Sequence, residues 1–213
     1  ILSLLKPNLV RGSVSVQNQQ EPKPMNELPN NELPNNEHLL ELAKRDQELS
    51  DASGQEVVGL PYGALMRDVS VHADERGYLF EVFDEEWGWH PEPLTRVYVS
   101  TILPGIGKGW NLHKEHEDRY TVLQGEMSVA MYDGREDSPT FGGCFYVLLS
   151  ERRRRSLTMP IGVWHCDYNL SEKEVIFINC PTGRYGNKSP DKYRLPLYTD
   201  KIPYKLPPGL SGY

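Results

Sequence analysis

The residues Pro160, Gly162, His165 and Asn169 have the types and spacing of a turn that delivers a histidine to one defined place. Proline fixes φ and glycine relieves the steric limits on the backbone, so the chain turns at 160–162 and the following strand carries His165. Upstream lie a second histidine cluster, His113 and His116, and a Gly125-Glu126 turn. Histidine changes charge near neutral pH, so such residues suit proton transfer or metal ligation. The competing reading is a surface turn followed by a core histidine.

The elements that must position these residues are short. From about Val57 onward, β-like runs near 69–72, 78–83, 94–103, 119–124, 126–132, 143–149, 155–159, 163–168 and 174–180 alternate with Gly, Pro and Asp turns. With no convincing helix among them, this spacing predicts an all-β domain, an antiparallel jelly-roll barrel over 57–200, with 201–213 as a tail. The alternation in Val129-Ala-Met-Tyr-Asp133 makes sense if one face meets a lumen. Residues 1–56 read as an extension. Asn, Gln, Glu and Pro dominate 17–37, with the tandem Asn26-Glu-Leu-Pro-Asn30 and Asn31-Glu-Leu-Pro-Asn35, which is linker composition. Leu39, Leu40, Leu42 and Ala43 then predict one amphipathic helix ending near Ser50.

Composition bounds the function. The 213 residues are 38% hydrophobic and 25% charged, enough for one buried domain and an appendage. A net charge of −7 argues against broad nucleic-acid or anionic-membrane binding. The run Arg152-Arg153-Arg154-Arg155 reads as a solvated loop, or as an anion site. Cys144, Cys166 and Cys180 are odd in number and sit in apolar runs, which predicts buried thiols in a reducing cytoplasm. No apolar stretch approaches the roughly 20 residues that span a bilayer, and Ile1-Leu-Ser-Leu-Leu5 is too short for a signal-peptide core. A chain beginning at isoleucine is expected to have lost N-terminal residues.

The stretch from Pro160 to Asn169 resembles the second motif of the cupin barrels, which places His165 in a lumen. Asp74-Glu-Arg76-Gly77 through Phe80-Glu81, Leu112-His113, Gly125-Glu126, Asp137 to Gly142, Leu149-Ser150 and Pro160 to His165 together resemble the dTDP-4-dehydrorhamnose 3,5-epimerase family over roughly 57–200. The resemblance implies a homodimeric jelly roll that uses no cofactor and acts on a nucleotide-linked 4-keto-6-deoxyhexose. It implies proton abstraction beside the ketone by His113, oriented by the Asp191 carboxylate. Arg76 and Glu81 match positions that contact the nucleotide across the dimer. Phe80 packs on the base or fills the core, Arg119 faces the phosphates or solvent, and His165 lies against substrate. Trp110 and Trp164 offer stacking faces, or are structural.

Three positions depart from the family pattern. Trp110 replaces an arginine three residues before His113, Asp118 replaces a lysine, and Ile178 stands where a tyrosine acts as general acid. A donor would then come from Tyr120, Tyr132 or Tyr168. The first cupin motif suggests a different reading, in which His113, Asp118 and His165 bind Fe(II) or Mn(II), with Asn111 as a weak fourth contact. His116 is expected to be solvent-exposed. A third reading is a catalytically silent module that binds sugar nucleotides.

Overall fold

The computed structural model describes residues 36–43, 45, 50–53, 56, 58–184, 186 and 188–213. The chain divides into two compact units, Ile1–Gln47 and Glu48–Tyr213. In the first, helix α1 (Asn36–Leu42) is shorter than the periodicity predicts, and Leu39, Leu40 and Leu42 are exposed. The tandem repeat at 26–35 and the expected helix continuation at 46–49 lie outside the described residues.

The second unit contains strands β1 (Leu65–Asp68), β2 (Val71–Asp74), β3 (Gly77–Phe80), β4 (Tyr98–Ile102), β5 (Ile106–Leu112), β6 (Asp118–Gln124), β7 (Glu126–Asp133), β8 (Cys144–Ser150), β9 (Arg155–Met159), β10 (Val163–Tyr168), β11 (Val175–Asn179), β12 (Tyr193–Arg194) and β13 (Ser211–Gly212). One sheet has the order β1-β9-β6-β11-β4 and the other β12-β5-β10-β7-β8, all antiparallel. β13 adds a short parallel pairing to β5, and β2 with β3 forms a separate hairpin. This is a jelly-roll barrel.

Alternation along the strands sorts residues between two cores. Val129 and Met131 on β7, Leu149 on β8, Leu157 on β9 and Phe177 on β11 meet inside the barrel in one apolar cluster. Each such side chain contributes about 1.5–3 kcal/mol by leaving water. The second cluster is built on the outer face of the β5-β10-β7 sheet. There Trp110, Ala130, Cys166 and Tyr168 are covered by Leu197, Ile202, Leu206 and Leu210 from the C-terminal segment. Residues after 200 are therefore packed against the sheet as well as paired to it.

β5 escaped the sequence reading because Ile106-Gly-Lys-Gly-Trp reads as a loop. Its glycines answer to the segment that covers them. A Cβ on Gly107 would lie 2.8 Å from Leu197, and one on Gly109 would lie 2.9 Å from the Tyr213 backbone. Two other expectations are corrected. Arg154 and Arg155 are buried rather than solvated, because their guanidinium groups donate to the carbonyl oxygens of Val122, Leu123 and Leu148 at 2.8–3.0 Å. Cys144 is exposed, whereas Cys166 and Cys180 are buried; all three are free thiols.

Candidate active site

The turn at 160–162 forms as its residues dictate. Gly162 has φ +80°, the Val163 amide donates to the Pro160 carbonyl at 3.3 Å, and the Gly162 amide donates to the His113 carbonyl at 2.8 Å. One turn thereby fixes both His165, two residues into β10, and His113, the residue that follows β5. Asn169 closes β10 structurally, its amide donating to the carbonyls of Ile102 and Lys173 at 2.9 and 2.8 Å.

Inside the barrel at this end, β6 contributes Asp118. Its carboxylate oxygen Oδ2 lies 3.3 Å from His113 Nε2 and 3.6 Å from His165 Nε2. Asn179 donates to Oδ1 at 2.7 Å and the Tyr120 hydroxyl donates to Oδ2 at 3.1 Å. Burial opposes charge on Asp118, but the two imidazoles and the Asn179 amide outweigh it and hold the carboxyl below the usual carboxylate range. For His113, burial pulls downward and Asp118 pulls upward; with the Asp191 carbonyl, Asp118 wins, so the ring sits above its ordinary value. His165, fully buried, is pushed down to about 4 by burial. Two imidazoles sharing one carboxylate are shifted in opposite directions.

Asp191 acts differently from the expectation. Its backbone carbonyl, not its carboxylate, accepts from His113 Nδ1. The carboxylate instead accepts the Lys114 and Glu115 amides at 2.8 and 2.7 Å and pairs with His116 Nδ1 at 2.9 Å, fixing the loop that follows β5. His116 is consequently half-buried rather than exposed, its ring centroid 4.1 Å from that of His113.

His113 opens onto a cavity of about 250 Å³, lined by His113, His116, Asp191, Tyr98 and Pro181 and by the cations Arg96, Arg184, Lys192 and Arg194. Tyr98 and the four cations were not among the residues expected at the site. Only the proximity of Lys192 and Arg194 to Asp191 offered a signal. The Tyr98 hydroxyl accepts from Asn179 at 2.8 Å, and burial, then Asp118, push its pKa up to about 12. Ile178 lies between the inward-facing Phe177 and Asn179 on β11, so its side chain belongs to the opposite face.

Several expected site residues do not meet this cavity. Trp110 is fully buried on the outer face, donating to the Leu197 carbonyl at 3.1 Å, and so offers no stacking platform. Arg119 is buried and ties down the 90–93 segment through the Glu92 and Pro93 carbonyls at 2.9 and 3.0 Å. Tyr132, Trp164 and Tyr168 belong with the outer cluster, while Tyr120 is sealed between Asp118 and Asp167. Arg76 pairs with Asp74 at 2.5 Å on the exposed β2-β3 hairpin. Phe80 carries the Arg154 guanidinium over its ring at 4.1 Å, and Glu81 lines a separate small cavity beside Trp87.

Residues 62–201 match the family model of dTDP-4-dehydrorhamnose 3,5-epimerase. A probable low-salt glycan biosynthesis epimerase of Haloferax volcanii is 34% identical over 62% of this chain and 85% of its own length. The spore coat polysaccharide biosynthesis protein SpsL of Bacillus subtilis is 28% identical over 66% and 92%. Among solved structures, a dTDP sugar isomerase from Desulfovibrio desulfuricans superposes with a TM-score of 0.64 at 25% identity, covering 68% of this chain and 91% of that one. On the matched residues and the barrel that carries them, this chain belongs to the dTDP-4-dehydrorhamnose 3,5-epimerase family, an isomerase-class family of deoxysugar biosynthesis.

Proposed function

We propose that the protein epimerises a dTDP-linked 4-keto-6-deoxyhexose, with His113 as the base. One observation carries this reading: His113 borders a cation-lined cavity with its Nδ1 proton committed to the Asp191 carbonyl, which leaves Nε2 to accept a proton. A ketone acidifies hydrogens on its neighbouring carbons, so abstraction there needs a base and a place for the enolate, and no cofactor. Arg96, Arg184, Lys192 and Arg194 supply the positive field that a diphosphate requires. They also offset the negative charge at Asp118, where the family pattern has a lysine.

When His113 takes the proton, Asp118 stabilises the resulting imidazolium at 3.3 Å. Tyr98 is the proposed proton donor, because its phenol stays protonated up to about 12, is held by Asn179 and lines the same cavity. It takes the place that Ile178 cannot fill. Arg76 and Glu81 lie away from the cavity, so a nucleotide contact from them requires a second barrel. The exposed apolar residues Val71, Tyr78 and Leu79 on that hairpin support a homodimer.

The test is deuterium exchange. In D₂O, a dTDP-linked 4-keto-6-deoxyhexose should gain deuterium on a carbon beside the ketone. Exchange no faster than in buffer, with nucleotide-sugar binding intact, would make the protein a silent binding module. Among the described residues no helix is long and apolar enough to cross a membrane.

A further inference from the structure

We propose that His113, Asp118 and His165 form a site for one divalent first-row transition-metal ion, and that this ion and the proton accepted by His113 exclude each other. Two carbonyl groups determine where the ring protons lie. Nδ1 of His113 faces the Asp191 carbonyl, and Nδ1 of His165 faces the Val163 carbonyl at 3.4 Å. A carbonyl only accepts, so each Nδ1 carries hydrogen and each neutral ring presents a lone pair at Nε2. Both Nε2 atoms lie near the same oxygen, Asp118 Oδ2, at 3.3 and 3.6 Å, and the three ligand atoms lie within 4.8 Å of one another.

Three electron-rich atoms this close repel one another unless something positive lies among them, and the Tyr120 hydroxyl reaches only Asp118 Oδ2. A second proton on His113 satisfies His113 and Asp118 but leaves His165 Nε2 with no hydrogen-bond partner, on a ring only 2% exposed. A metal ion satisfies all three. Bonds of roughly 2.1 Å hold neighbouring ligand atoms about 3.0–3.4 Å apart, close to the observed spacings about Asp118. Two imidazoles and one carboxylate suit Fe(II), Mn(II), Co(II) or Zn(II); Ca(II) and Mg(II) prefer all-oxygen ligands. The outer contacts also suit a metal. Ligating histidines ordinarily donate their second ring N–H to a carbonyl or carboxylate, and ligating carboxylates are themselves hydrogen-bonded, as Asp118 is by Tyr120 and Asn179.

An ion bound at His113 Nε2 occupies the lone pair that a base would use, so metal-loaded protein should not exchange substrate hydrogen. Only this second half rests on the proposed function. Metal binding itself is read without substrate by titrating Co(II) into chelator-treated full-length protein and following its visible absorption. One equivalent should bind. Asp118→Asn and His165→Gln should each weaken binding roughly 100-fold or more, with folding checked by circular dichroism. In the wild type, Co(II) should suppress deuterium exchange in proportion to site occupancy, and chelator should restore it. Absence of cobalt bands, or bands unchanged in either folded variant, overturns the site. Full exchange by cobalt-saturated protein overturns the exclusion.

Discussion

Strands β5 and β10 carry two unlike regions on their opposite faces. On the outer face, Trp110, Cys166 and Tyr168 are sealed under Leu197, Ile202, Leu206 and Leu210. On the inner face, one residue away along the same backbone, Asn111, His165 and Asp167 line the polar end of the lumen, with His113 immediately after β5. The outer face is dry and holds the C-terminal segment in place. The inner face concentrates buried polar groups that are stable only as a connected set, through Asp118, Asn179, Tyr120 and Tyr98. A shift of one residue in either strand would exchange the two faces, so the outer packing also fixes the register that the site depends on.

This contrast predicts that substitutions on the two faces separate activity from stability. His113→Ala should have the largest effect on rate, lowering deuterium exchange by about 10² to 10⁴ per folded molecule, beyond what the lost pairing with Asp118 costs in stability. Trp110→Ala should do the reverse. It costs about 3–5 kcal/mol of unfolding free energy, read by denaturant titration, while exchange per folded molecule persists. Equal losses of rate in the two variants at a temperature where both are folded would break the division.

Smaller effects sharpen it. Tyr98→Phe removes the proposed donor but not the base, so inversion of configuration should fall by roughly 10² while deuterium wash-in continues, as resolved by NMR of the product. A parallel loss of wash-in would place Tyr98 elsewhere in the chemistry. Arg184→Ala and Lys192→Ala should each raise KM about tenfold at nearly constant kcat, and high salt should blunt the difference. A fall in kcat alone would argue that these cations act on the reacting centre rather than on the diphosphate.

The barrel was legible in the sequence because turn residues and short apolar runs alternate at the strand period from β6 to β11. His165 was legible because the Pro160–Gly162 turn resembles the second cupin motif, and His113 because Leu112-His113 falls where the family pattern has its catalytic histidine. What stayed hidden depends on segments far apart in the chain. The glycines of β5 make sense only with Leu197 and Tyr213 against them. Trp110 reads as a stacking face until the Leu197 carbonyl claims its indole N–H. Asp191 looked like the orienting carboxylate, yet its backbone reaches His113 while its side chain holds the loop. Tyr98 carries no local motif. It reaches the site because β4 pairs with β11, setting it opposite Asn179.

The central claim is that His113, and not His165, accepts the proton, and the two rings differ enough in acidity for pH to separate them. His113 must be neutral to act, and it is held above the ordinary histidine value of about 6.5, so kcat/KM for exchange should rise through an ionisation above that value. Asp167, pushed up to about 7 by burial and then by Asp118, titrates nearby, so the profile should be repeated in Asp167→Asn, where the limb should remain. His165 titrates at about 4. A single rise above about pH 6.5 that survives Asp167→Asn is the predicted result; a rise centred near pH 4, or a flat profile from pH 5 to 8, would contradict the account.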